Sequence, residues 1–144
     1  MKRSKFSLSH YKMATHDMGE LVPVAHYDVL PGDSIRHVTS ALLRVSPLLT
    51  PVMHPVTVRL HHWFVPFRLL WTGWEDFITG GNDGLGGSAG TFPTMNIAAS
   101  PAIGSLADYM GINPGSVAPS TVDISALPFR AYALIFNEFY RDQD

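Results

Sequence analysis

The chain has 144 residues, room for one domain at most. Hydrophobic residues make up 46% and charged residues 15%, which excludes a disordered chain, and Arg68 interrupts the longest apolar run, residues 63–71, which excludes a membrane-spanning segment. A formal charge of -2 excludes a nucleic-acid coat spread over the whole chain, and the absence of cysteine excludes disulfides, thiolate zinc sites and a cysteine nucleophile.

Residues 1–13 are basic and polar and contain no signal-peptide core, so a soluble protein without a membrane partner is expected. Residues 1–20 show no sustained period and read as an N-terminal arm. Lys2, Arg3 and Lys5 crowd its tip, as in a phosphate-contacting arm, although a solvated terminus has the same composition. Eleven prolines and twelve glycines mark much of the remainder as turns and loops.

Residues 21–27 (LVPVAHY) fit a short strand that Pro23 confines to an edge. Pro31 and Gly32, followed by Asp33, are type II turn chemistry, because proline presets a negative φ and glycine accepts a positive one. Alternation over residues 35–45 predicts a second strand. Residues 56–65 give the clearest strand, with Val56, Val58, Leu60, His62 and Phe64 on one face and Thr57, Arg59, His61, Trp63 and Val65 on the other. Pro66 ends it.

Thr72 and Glu75 have capping-box spacing ahead of a short helix whose apolar face is Trp74, Phe77 and Ile78; Gly80 and Gly81 stop it. Residues 80–90 are a glycine-rich loop. They are not a phosphate cradle, since no Gly-Lys-Ser/Thr follows and no strand leads in. Ser105 starts a second helix, with Leu106, Tyr109 and Met110 on its apolar face and Gly111 and Pro114 closing it. Residues 114–123 read as loop. The last helix begins at Pro128 and carries Phe129, Tyr132, Ala133, Phe136, Phe139 and Tyr140 at helical spacing.

No catalytic constellation emerges. His61 and His62 are adjacent in a strand and point to opposite faces, so they cannot share an ion. His10 and His16 lie in the arm without carboxylates at metal spacing, and His26, His37 and His54 are isolated in the sequence. Asp76, Asp83 and Asp108 sit beside turn or cap signals. The pairs Trp63–Phe64 and Trp71–Trp74 lack the interleaved cations of a base-stacking surface and read as core and interface aromatics. The expectation is no enzyme, no cofactor and no metal.

Blocks along the chain resemble the major capsid proteins of the gokushovirus group of microviruses (Microviridae), small phages with circular single-stranded DNA. They are residues 19–24 (GELVPV), 29–34 (VLPGDS), 43–46 (LRVS), 51–55 (PVMHP), 63–74 (WFVPFRLLWTGW), 77–81 (FITGG), 105–112 (SLADYMGI) and 124–142 (ISALPFRAYALIFNEFYRD). The two most specific are Phe-Val-Pro-x-Arg at residues 64–68 and Leu-Pro-Phe-Arg-Ala-Tyr at residues 127–132.

The resemblance implies a mainly β fold: part of a viral jelly roll, an eight-stranded antiparallel sandwich with helical insertions and long loops. It also implies a T=1 icosahedral shell of identical subunits around single-stranded DNA, with an internal scaffolding protein as a further partner. The protein would be located in the virion, and in the host cytoplasm during assembly. Family members are several times longer, so the chain is expected to hold the arm (1–20) and the N-terminal portion of one jelly-roll domain (21–144), truncated at the C-terminus. Two or three strands cannot close a sandwich, which independently points to a piece of a longer protein.

On this reading Pro31, Gly32 and Asp33 position the first roll strand. Trp63, Phe64, Pro66 and Arg68 link a strand to the following helix, and Phe129, Arg130, Tyr132 and Phe136 serve helix packing or intersubunit contact. The alternatives are a β-rich carbohydrate-binding module and a histidine-dependent metal enzyme of cupin type. Neither accounts for the terminal helix and the Phe-Val-Pro-x-Arg block together.

Overall fold

A computed structural model describes residues 4–87, 89–97, 101–114 and 123–142. The chain divides into two compact units, one formed by Met1–His26 with Phe64–Asp144 and the other by Tyr27–Trp63.

The first unit holds all the regular elements found among the described residues. Helix α1 (Phe67–Leu70) follows Pro66, whose φ of -65° is preset by its ring. Helix α2 (Trp74–Thr79) ends at Gly80, which takes the left-handed conformation (φ 84°) open to glycine. Strand β1 (Thr94–Asn96) pairs antiparallel with β2 (Asp123–Ser125), in the register Thr94 to Ser125, Met95 to Ile124 and Asn96 to Asp123. Helix α3 (Leu106–Tyr109) lies between them in the chain, and α4 (Leu127–Phe139) follows β2 directly. Helix α1 packs against both α2 and α4. Three apolar residues are buried among those described, namely Leu70, Ala126 and Leu127.

Several local expectations hold. Ser105 caps α3 by accepting the Asp108 N–H at 3.4 Å, while the Asp108 carboxylate accepts the Gly104 N–H at 2.9 Å. Pro128 sits in the first turn of α4, where no donor is lost. The Thr72–Glu75 capping box does not form. Helix α2 starts at Trp74 behind Gly73 with no side-chain cap, because the chain first turns through a Trp74 N–H to Trp71 carbonyl bond of 3.2 Å. Glu75 and Asp76 still favour that first turn through the helix dipole.

The mainly β expectation is met in part: the described residues hold one two-stranded antiparallel sheet beside short helices. Residues 21–27, 35–45 and 56–65 carry no strand, and helix outweighs strand among the described residues. Alternation specifies a face, but a strand also needs a hydrogen-bonded neighbour. The two strands that do form are three residues each, too short for any period to show in sequence. Residues 115–122 of the expected 114–123 loop lie outside the described residues.

The Tyr27–Trp63 unit contains no helix or strand. Its turn at Pro31, Gly32 and Asp33 is as expected: the Asp33 N–H donates to the Leu30 carbonyl at 3.1 Å, and Gly32 has φ 86°. The Asp33 carboxylate accepts the Leu30 N–H at 3.3 Å and closes the turn from its other side.

Candidate functional site

The first unit brings together the two most specific sequence blocks. After α1 the chain turns sharply at Gly73, where an added Cβ would come within 2.9 Å of the Trp71 indole nitrogen. That close approach sets Trp71 beside Trp74, with ring centres 6.5 Å apart, and beside Phe77 at 5.2 Å. Phe67 meets Trp74 edge to face at 4.7 Å.

The glycine-rich loop then works as a return. The Gly86 N–H donates to the Gly80 carbonyl at 2.8 Å, and Phe92 comes back to within 5.9 Å of Trp71 and 5.8 Å of Phe77. Phe67, Trp71, Trp74, Phe77 and Phe92 thus form one cluster of offset and edge-to-face rings.

From Phe92 the chain enters β1. The Ala126 N–H donates to the Pro93 carbonyl at 3.0 Å, which extends the β1–β2 pairing to the threshold of α4. Arg130 of α4 then donates from Nη1 to the Leu70 carbonyl at 3.0 Å and satisfies the open C-terminal end of α1. Arg130, expected at a helix contact, acts by capping a neighbouring helix through a main-chain acceptor.

Helix α4 presents a different face from the one its aromatics suggest. Leu127 is buried, and Phe129, Ala131, Tyr132, Leu134 and Ile135 are half-buried, whereas Ala133, Phe136 and Phe139 are exposed. Leu127, Ala131, Leu134 and Ile135 follow the i, i+4, i+7, i+8 spacing of a face turned inward, and their smaller side chains permit close approach. Sequence reasoning missed Leu134 and Ile135 because the helix is apolar nearly all round.

The arm is not simply solvated. The Tyr109 hydroxyl donates to the Thr15 carbonyl at 3.0 Å, and the Tyr132 hydroxyl donates to the Leu21 carbonyl at 2.8 Å. Lys12 donates from Nζ to the Pro23 carbonyl at 3.2 Å and to the Tyr109 carbonyl. Every acceptor is main chain, so docking leaves no side-chain period to be read.

Desolvation pushes the Lys12 ammonium below its usual range, against the pull of Asp108. Desolvation also raises both phenols. Glu20 adds to the rise at Tyr132, and Glu20, Asp108 and Asp17 add to it at Tyr109, so both remain hydrogen-bond donors.

The other expected positions are scattered. Trp63 and Phe64 are exposed, Pro66 is half-buried ahead of α1, and Arg68 is exposed in the last turn of α1. Lys5 is exposed, and Lys2 and Arg3 lie outside the described residues. Among the described residues no group of three or more histidine, aspartate or glutamate side chains is placed to hold a metal ion. No helix there is long and apolar enough to cross a membrane.

The described residues thus carry an aromatic cluster, an arm held by main-chain contacts and a largely uncovered apolar surface. A family model described as capsid protein (F protein) matches residues 1–144, and the chain belongs to that family. It is 40% identical over its whole length to "Capsid protein VP1" of Chlamydia phage 1, covering 25% of that protein. Over 99% of its length it is 38% identical to "Capsid protein VP1" of Bdellovibrio phage phiMH2K and 32% identical to that of Spiroplasma virus 4, covering 26% of each. The chain therefore spans about a quarter of the length of the curated relatives it matches. No solved structure matches it. Nothing in these matches supports a carbohydrate-binding module or a metal enzyme.

Proposed function

We propose that the chain is the front portion of a major capsid protein that self-assembles into a T=1 icosahedral shell around circular single-stranded DNA, and that it resides in the virion. The observation that carries this reading is how little of its apolar surface the chain covers itself. Among the described residues three apolar side chains are buried, while Phe6, Leu42, Leu49, Phe64, Leu69 and Phe139 are each more than 60% exposed. Side chains of this kind, so widely uncovered, mark surface meant for other protein. A shell supplies it twice, from later segments of the same polypeptide and from identical neighbours.

In this reading residues 21–27, 35–45 and 56–65 are strands of an eight-stranded jelly roll that acquire ladder partners from the remainder of the protein. Pro31, Gly32 and Asp33 aim the first of them. Trp63, Phe64, Pro66 and Arg68 carry the roll into α1, and Phe129, Arg130, Tyr132 and Phe136 present α4 to its neighbours. Lys2, Arg3 and Lys5 contact genome phosphates, and an internal scaffolding protein assists assembly in the host cytoplasm.

Phe136, 41% exposed on α4, gives the sharpest test. The full-length protein carrying Phe136→Asp is expected to accumulate as folded subunits without particles in negative-stain electron micrographs. Normal shells would remove α4 from the contact surface.

A further inference from the structure

Within the Tyr27–Trp63 unit, two histidines far apart in sequence meet over one hydroxyl. Thr39 Oγ1 lies 2.9 Å from His37 Nε2 and 3.0 Å from His62 Nε2. The two imidazoles stand edge to face with centres 4.6 Å apart, and Tyr27 stands edge-on to His37 at 6.4 Å. His37, Thr39 and His62 are all exposed, so protons reach them freely. The groups that contact the imidazoles are Tyr27, Thr39 and each other.

The chemistry follows from the single proton and two lone pairs of a hydroxyl. With both rings neutral, the hydroxyl donates to one ring nitrogen and accepts an N–H from the other, so the rings hold complementary tautomers. One added proton is tolerated, because the cationic ring donates to the hydroxyl oxygen and the hydroxyl donates to the neutral ring. A second added proton makes both rings donors and leaves the hydroxyl proton without an acceptor in the cluster. It also sets two cations side by side, with ring centres 4.6 Å apart. Two imidazoles fall short of the three protein ligands that a zinc site needs, so protonation is the chemistry this cluster supports.

We propose that His37, Thr39 and His62 form a proton-sensitive tie that joins residues 37–39 to residue 62 at neutral pH and releases them in mild acid. Imidazole is the side chain whose ordinary titration spans this interval.

The test is hydrogen–deuterium exchange of the unassembled full-length protein at pH 7.5 and 5.5, with exchange times rescaled for the intrinsic chemical rate. Peptides within residues 30–62 are expected to lose protection in acid on the order of three- to fivefold, the size of the repulsion between two unit charges at this separation in water. Peptides from α4 should stay constant. His62→Gln and His37→Gln, which keep a hydrogen-bonding group but cannot charge, should each abolish the acid response, and His54→Gln should retain it. An unresponsive wild type would overturn the proposal. So would an acid response that persists in both glutamine variants, and wild-type protection of residues 30–62 at pH 7.5 shows that the unit is folded in any variant compared.

Discussion

The two units of this chain are built by different rules. The Met1–His26 with Phe64–Asp144 unit contains four helices, a two-stranded sheet and a ring cluster among its described residues, and its contacts close within the chain. The Tyr27–Trp63 unit has one hydrogen-bonded turn and a histidine–threonine tie, and its large apolar residues, from Ile35 to Leu60, face outward. A helix satisfies its own backbone, so short helical blocks form wherever a local signal is present. A strand borrows half its hydrogen bonds, so alternation by itself yields no ladder.

The largest expected effect breaks the first unit and spares the second. Leu127 is 3% exposed at the start of α4, and Leu127→Asp buries a carboxylate among apolar groups. We expect a loss of about 4 kcal/mol or more, read as the shift in urea midpoint of tryptophan fluorescence in the full-length protein.

A smaller effect falls on the second unit alone. Gly32 has φ 86°, which a β-branched residue adopts at a cost of about 1–2 kcal/mol. Gly32→Val should speed tryptic cleavage at Arg36 and Arg44 while leaving the tryptophan transition of the first unit in place. Equal sensitivity of the two units would end the contrast between them.

The smallest effect probes how the arm belongs to the first unit. Tyr132→Phe deletes the bond to the Leu21 carbonyl, about 1 kcal/mol, and should raise tryptic cleavage at Lys12 roughly fivefold. Because desolvation and Glu20 raise the Tyr132 pKa, its contribution is whole below the ordinary tyrosine value of about 10 and disappears as pH climbs through the higher folded value. Alkaline release of the arm should therefore be smaller in the variant, and an arm that releases identically in both would show that this bond does not hold it.

Much of the first unit is legible in sequence because its signals are short-range. Ser105 and Asp108 cap α3 within four residues, Gly80 stops α2 at once, and Pro128 opens α4. The Pro31–Gly32 turn of the second unit is equally local. The Thr72 cap misleads because the demand of Trp71 for space at Gly73 sets where α2 begins. The aromatic stripe of α4 misleads because ring size does not set burial: Leu127, Leu134 and Ile135 fit the inward face.

Composition and block order by themselves determined the class of the protein and its local punctuation, since turns, caps and helix starts depend on neighbours a few residues away. The meeting of Trp71 with Phe92, of Tyr132 with Leu21 and of His37 with His62 depended on tertiary structure. These contacts join positions tens of residues apart, through rings and main-chain carbonyls that carry no periodic mark. The energy of each comes from where the chain returns, and only the folded path specifies that.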